Sequence, residues 1–80
     1  MDLNTTRHFE QVLRQRPEIK REWCERIAID RTFTEMMPSG RIRCWGWVEE
    51  VNHYVRVVLL EDGKTLHTAM IDSKFKRGSR

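Results

Sequence analysis

The sequence predicts an α+β fold in which two N-terminal helices pack on one face of a three- to four-stranded antiparallel meander sheet. Apolar residues recur at helical spacing until about residue 29, and after Asp30 they alternate as they do in strands. The dipeptide Asp62-Gly63, between two apolar runs, is a strong hairpin signal. A length of 80 residues suits one domain with a small core.

The two helices are predicted at about residues 5–16 and 18–29. A run of residues suited to N-capping precedes the first helix, and Pro17 separates the two, since proline ends a helix or opens the next one. The apolar residues at helical spacing are Phe9, Val12 and Leu13, then Ile19, Trp23 and Ile27. Charged residues fill the remaining positions of the second segment, so it is predicted to be an amphipathic helix with a narrow apolar stripe.

The strands are predicted at about residues 32–37, 41–49, 54–61 and 65–72, followed by a basic tail over 73–80. The first is short and alternates weakly, which is typical of an edge strand. Pro38-Ser39-Gly40 is a turn signal between the first two strands. An exposed edge of this kind can pair across a two-fold axis, so a homodimer is compatible with the sequence.

The two hairpins fix which side chains share a face of the sheet. A two-residue Asp62-Gly63 loop places Val58 opposite His67, and a hairpin folded about residues 51 and 52 places Trp45 opposite Val58. One face is then predicted to be the core beneath the helices: Ile42, Cys44, Gly46, Val48, Val55, Val57, Leu59, Leu66, Thr68 and Met70. The open face is predicted to carry Arg41, Arg43, Trp45, Trp47, Tyr54, Arg56, Val58, Leu60, Thr65 and His67.

The predicted open face interleaves aromatic and basic side chains. Trp45, Trp47 and Tyr54 could stack on RNA bases while arginines hold phosphates. The same residue types are the anchors of protein interfaces, and tryptophan and arginine also pair on ordinary sheet surfaces. The pattern therefore leaves three alternatives: a nucleic-acid surface, a protein interface, or neither.

Composition and charge exclude some classes of protein. No run of about 20 apolar residues suggests a membrane span, and the first residues lack the apolar stretch of a secretory signal, so we expect a cytoplasmic protein. Cys24 and Cys44 are expected to be reduced thiols, and no Cys/His cluster has metal-ligand spacing, so neither a metal nor a cofactor is predicted. The net charge is +3, and residues 62–80 contain five basic and two acidic residues.

His67 is the candidate for proton transfer. It lies within a predicted strand beside arginines, whose positive charge would lower its pKa and leave it neutral near pH 7. A neutral imidazole can act as a general base toward a ribose hydroxyl. The alternative is an ordinary surface histidine. His53 is expected in a turn, and His8 at the start of the first helix, where it caps or packs.

The order of elements resembles the small bacterial toxins related to RelE, ParE and BrnT. The resemblance rests on Arg7-His8-Phe9, EIKREWCERIA, GRIRCWGWVEEV and YVRVVLLEDGKTLHTAMID, and it covers residues 7–76. It implies a toxin-like endoribonuclease that cleaves RNA, often at the ribosome, without a metal, and that is covered by a cognate antitoxin. Some members of this group poison gyrase instead of cutting RNA.

The resemblance also implies roles for individual residues. Arg43 and Arg56 would clamp the scissile phosphate, and His67 would act as acid or base. The tail residues Lys74, Lys76 and Arg77 would hold RNA by charge. The alternative is a non-catalytic module of the same fold that binds protein or nucleic acid.

Overall fold

The computed structural model describes residues 3–31 and 33–75, and it confirms the α+β class. The elements are β1 (Asn4–Thr5), α1 (Arg7–Gln15), α2 (Arg21–Asp30), β2 (Phe33–Met36), β3 (Ile42–Val48), a 3₁₀ turn (Glu49–Val51), β4 (His53–Leu59) and β5 (Thr65–Asp72). The sheet has the order β1-β5-β4-β3-β2. It has five strands and is mixed, because β1 pairs with β5 in parallel, so the prediction of three to four antiparallel strands was wrong.

The extra strand uses residues that were predicted to begin the first helix. Asn4 N–H donates to the Lys64 carbonyl at 2.9 Å, and Thr6 N–H donates to the Leu66 carbonyl at 3.1 Å. Helix α1 then starts at Arg7, and Thr6 Oγ1 caps it by accepting the Phe9 N–H at 3.1 Å. Thr6 therefore ends the β1 pairing and caps α1 in the same step.

Helix α2 is shorter at its N-terminus than the apolar spacing predicts. It begins at Arg21, while Ile19 lies before it and is still buried. At its other end Arg31 adopts the left-handed conformation, with a φ of 49°, and its N–H donates to the Ile27 carbonyl. This left-handed residue turns the chain from the helix toward the start of β2.

One core joins both helices to the sheet. Its buried residues are Phe9, Ile19, Trp23, Cys24, Ile27, Ala28, Ile42, Cys44, Val48, Val55, Val57, Leu59, Leu66 and Ala69. Both cysteines are buried free thiols, and burial raises the pKa of Cys24 to about 12. In the described residues no helix is long and apolar enough to cross a membrane.

The β3–β4 hairpin is offset by two residues from its predicted register. Trp45 lies opposite Arg56, where Val58 was expected. The reason is the connection, because the 3₁₀ turn and the left-handed Asn52 move the centre of the hairpin toward β3. A shift of two residues keeps every side chain on its predicted face.

The β4–β5 pairing contains a β-bulge that the sequence pattern did not predict. Leu59 pairs with Leu66, whereas Val58 pairs with Thr68, so His67 is an extra residue in β5. Beyond the bulge the register slips by one and the faces of β5 exchange. The predictions that Thr68 and Met70 lie in the core and that Val58 faces His67 were therefore wrong.

Gly46 sets how closely α2 approaches the sheet. A Cβ at this position would lie 2.5 Å from Ile27 Cγ1. We predict that Gly46→Ala lowers the free energy of unfolding by about 1–3 kcal/mol, because the helix must move away from β3. Urea unfolding measures this.

The matched control for this prediction is Ile27→Ala, alone and combined with Gly46→Ala. Removing Cγ1 makes room for the new methyl group, so the double variant should lose less stability than the sum of the two single variants. Strict additivity would show that the contact between Gly46 and Ile27 does not limit the packing of α2.

Candidate functional site

The sheet face opposite the core carries an aromatic cluster made of Phe33, Trp45, Trp47, Tyr54 and Phe75. Trp47 and Tyr54 face each other across β3 and β4, with ring centroids 5.2 Å apart in an edge-to-face arrangement. Phe33 makes a similar contact with Tyr54 at 6.1 Å. Phe75, which follows β5, lies against three of these rings.

Asp72 folds the end of the described chain back onto this face. Its Oδ1 accepts the N–H groups of Lys74 and Phe75, both at 3.1 Å, and its Oδ2 accepts the Trp45 Nε1–H at 3.0 Å. Phe75 then stacks on Trp45, with centroids 4.7 Å apart and planes 12° from parallel. The cluster is therefore closed by the protein's own C-terminal turn.

The three predicted stacking residues have different surroundings. Trp45 is only 7% exposed, because Phe75 covers it, so it offers no free ring face to a base. Tyr54 is partly buried among Phe33, Trp47 and Phe75. Trp47 remains 44% exposed, and its indole N–H donates to Glu49 Oε1 at 2.9 Å. Trp47 is thus the aromatic residue of this cluster with most surface available to a ligand.

Arg43 and Arg56 both lie near carboxylates. Arg43 Nη1 is 3.3 Å from Glu35 Oε1, across β2 and β3. Arg56 Nη1 is 3.9 Å from Asp72 Oδ2, and its Nη2 contacts the Met70 sulfur. A phosphate would have to compete with these carboxylates for either guanidinium. Lys74 is exposed in the turn after β5, while Lys76 and Arg77 lie outside the described residues.

His67 lies at a different corner, beside the N-terminus of α1. Its ring stacks on His8, with centroids 4.9 Å apart and planes 30° from parallel. Its Nδ1 is 3.1 Å from Thr6 Oγ1, the hydroxyl that caps α1. The bulge places His67 here, so the cross-strand row of Trp45, Val58 and His67 expected from the sequence does not form.

The surroundings of His67 favour the uncharged form of its imidazole. Burial lowers the pKa of His67, and the positive charge of Arg41 and the neighbouring His8 lower it further. Both tautomers fit the hydrogen bond to Thr6. When Oγ1 accepts from Nδ1–H, the Nε2 lone pair can take a proton, and when Oγ1 donates, Nε2 carries the proton.

The helix end that carries His8 is anchored by Glu10. Its carboxylate accepts from Thr5 Oγ1 at 2.6 Å and from Arg21 at 2.5 and 3.1 Å. These hydrogen bonds, first the one from Arg21 and then the one from Thr5, lower the pKa of Glu10 to about 2. The network ties β1, α1 and α2 together beside the histidine pair.

The sequence pattern predicted His67 and placed Arg41 on the same face of the sheet, and Arg41 does lower the pKa of His67. It did not predict Thr6 or His8 as neighbours of His67, because both are far from it along the chain and no local pattern links them to it. Within residues 3–31 and 33–75, no group of three or more His, Cys, Asp or Glu side chains is placed to hold a metal ion.

Comparisons with protein-family models, with curated proteins and with solved structures find no match.

Asp72 is predicted to hold the aromatic cluster closed. Replacing it by Asn puts an amide in place of a carboxylate that accepts three N–H groups. We expect Asp72→Asn to lower the free energy of unfolding by about 1–3 kcal/mol and to make Trp45 more accessible to acrylamide. Asp30→Asn, an exposed change on α2, should stay within about 0.5 kcal/mol of the wild type. Equal urea midpoints for the two variants would contradict the role of Asp72.

Proposed function

We propose that this protein is a metal-independent endoribonuclease in which His8 and His67 form an acid–base pair. The observation that carries the proposal is the stacked imidazole pair beside the capped start of α1, with Arg41 supplying positive charge nearby. Metal-independent cleavage of RNA needs a group that accepts a proton, a group that donates one, and positive charge near the phosphate. The pair and Arg41 supply these three requirements.

The acid and base can be assigned from burial. His67 is partly buried and its pKa is lowered, so it is neutral at pH 7 and suits the general base. His8 is exposed beside it, and we assign it the role of general acid. In this scheme Thr6 is a positioning residue, because its hydroxyl holds Nδ1 of His67.

The reaction would proceed without a covalent enzyme intermediate. His67 Nε2 takes the proton of a ribose 2′-hydroxyl, and the 2′-oxygen forms a bond to the adjacent phosphorus. The bond from phosphorus to the 5′-oxygen breaks, and that oxygen takes a proton from His8. The products are a 2′,3′-cyclic phosphate and a 5′-hydroxyl, so atoms and charge balance.

The roles that we propose for the arginines differ from those that the resemblance implied. We assign the charge beside the reacting phosphate to Arg41. Arg43 and Arg56, which lie on the open face near Glu35 and Asp72, would contact phosphates elsewhere along the RNA. Lys74, Lys76 and Arg77 are proposed to add to this attraction.

The resemblance to RelE-, ParE- and BrnT-like toxins supports a cytoplasmic toxin, with RNA or the ribosome as its target and a cognate antitoxin as its partner. An antitoxin would inhibit by covering the histidine pair.

A second candidate function is a non-catalytic protein-binding module. The exposed Trp47, fixed against Tyr54 and Glu49, favours it because a rigid indole is a common interface anchor. In that case Trp47→Ala would weaken binding to the partner, whereas His67→Ala would have no effect.

The histidine pair can be tested by RNA cleavage in EDTA. We predict that His67→Ala and His8→Ala each slow cleavage by about 10²–10⁴-fold, because each removes a proton-transfer group. His53→Ala is the matched control, since His53 is exposed at the start of β4, and it should cleave at the wild-type rate. Circular dichroism checks that the variants fold. Cleavage that survives both substitutions would refute the proposed site, and folded wild-type protein without cleavage would favour the binding module.

The pH dependence of cleavage tests the role of Arg41. Because its charge helps to lower the pKa of His67, Arg41→Gln should raise that pKa toward 6.5. The rate rises with pH as the base loses its proton, so the acid limb of the profile should move to higher pH. Arg14→Gln, on the same helix as His8, is the control for a general change in charge. An acid limb that does not move would show that Arg41 does not act on the base.

A further inference from the structure

A pocket of about 290 Å³ lies beside β3 where β2 begins. Its lining comes from α2, β2, β3 and β4 and includes Arg26, Asp30, Phe33, Gly46, Trp47 and Tyr54. This volume is close to the lower end of the range for ligand sites, about 300–1,000 Å³, and suits one small planar group.

The pocket follows from where the strand pairing stops. In the described residues, the pairing of β2 with β3 ends at Phe33 and Trp45, so the next part of β3 has no strand beside it. Gly46 allows α2 to approach this part of β3 closely. Arg26 on α2 then donates from Nη2 to the Trp47 carbonyl at 3.1 Å.

Two aromatic rings form a firm wall of the pocket. Trp47 is held by its hydrogen bond to Glu49 and by its edge-to-face contact with Tyr54. Its exposed indole is therefore positioned before any ligand arrives. A fixed, exposed indole is a good platform for a nucleic-acid base, since stacking contributes about 1–3 kcal/mol per base.

The polar groups on α2 offer the pocket both a hydrogen-bond donor and an acceptor. Arg26 and Asp30 are one turn apart, so they lie on the same side of the helix. Among the described residues Asp30 has no hydrogen-bond or ion-pair partner, so its two oxygens are available as acceptors. Guanine presents adjacent N–H donors on its Watson–Crick edge and acceptors at O6 and N7, which arginine recognises. Adenine presents an acceptor at N1 that a carboxylate would repel.

We propose that this pocket binds a single guanine base, with Trp47 stacked on the ring, Asp30 accepting its N–H groups and Arg26 donating to O6 or N7. The base could belong to a free guanine nucleotide or to single-stranded RNA. Only the second source is connected to RNA cleavage and rests on the proposed function.

The pocket is separate from the histidine pair. Tyr54 lies at one end of β4 and Leu59, beside the bulge at His67, lies at the other. With about 3.4 Å per residue and about 4.8 Å between strands, the two features are roughly 15–20 Å apart. The pocket would therefore bind a base away from the scissile bond.

The test measures calorimetric binding of GMP, AMP and UMP, and of two single-stranded RNAs that differ by one guanine. We expect GMP to bind at least about tenfold more tightly than AMP or UMP, and Asp30→Asn to remove this preference. Glu22→Gln, an exposed carboxylate elsewhere on α2, is the matched control and should behave as the wild type. Trp47→Ala, checked for folding by circular dichroism, should weaken the binding of all three nucleotides.

The outcomes separate the two sources and the two proposals. Preference for GMP without preference for the guanine RNA supports a free nucleotide, and preference in both supports an RNA base. The pocket assignment would be overturned if GMP and AMP bound equally or not at all, and if Asp30→Asn bound RNA as the wild type does. His67→Ala should leave GMP binding intact, so loss of RNA cleavage alone bears on the nuclease and not on the pocket.

Discussion

The β-bulge at His67 is the constraint on which both the core and the candidate site depend. One extra residue in β5 shifts the pairing with β4 from Leu59–Leu66 to Val58–Thr68. As a result Ala69 is buried in the core, at 2% exposure, and Asp72 comes into line with Tyr54 on the opposite face. Without the bulge, Asp72 would lie on the helix side and could not accept the Trp45 indole N–H. The extra residue in β5 therefore has three effects. It buries Ala69 in the core, places the His67 imidazole beside α1, and brings the Asp72 carboxylate to the aromatic cluster.

The alternation of β3 and β4 was sufficient to predict their faces, because Ile42, Cys44 and Val48 alternate with large polar or aromatic residues. In β5 the sequence Thr68-Ala69-Met70-Ile71 offers small or apolar residues on both faces, so either register gives an acceptable core. Only the packing of the whole core selects one of the two registers. The strand β1 could not be foreseen either, because two residues carry no period and Thr6 is equally suited to capping a helix. The histidine pair depends on both features, and therefore it lay beyond local pattern reasoning.

The side chains of the aromatic cluster contact other groups of the protein, although the sequence pattern suggested that they would bind a ligand. Phe75 occupies the face of Trp45, and the carboxylates of Glu35 and Asp72 lie near the two arginines. The stacking that suggested RNA binding therefore acts within the protein, where it holds the residues after β5 against the sheet. A phosphate that bound either arginine would have to displace a carboxylate. Trp47 differs because the pairing of β2 with β3 ends before it. Its indole is therefore exposed, and its carbonyl accepts a hydrogen bond from Arg26.

The proposed acid–base pair and the proposed base pocket are related by the geometry of the sheet. His67 lies near one end of β4 and Trp47 near the other, and Arg43 and Arg56 project from the rows between them. A single RNA strand that reached both features would cross these arginines, whose ion pairs with exposed or partly exposed carboxylates are weak enough to exchange for phosphates. The binding of a guanine would then position a phosphate several nucleotides away. In the proposed scheme, such an arrangement would select the cleavage site through a distant base and would need no base-specific contact at the histidines.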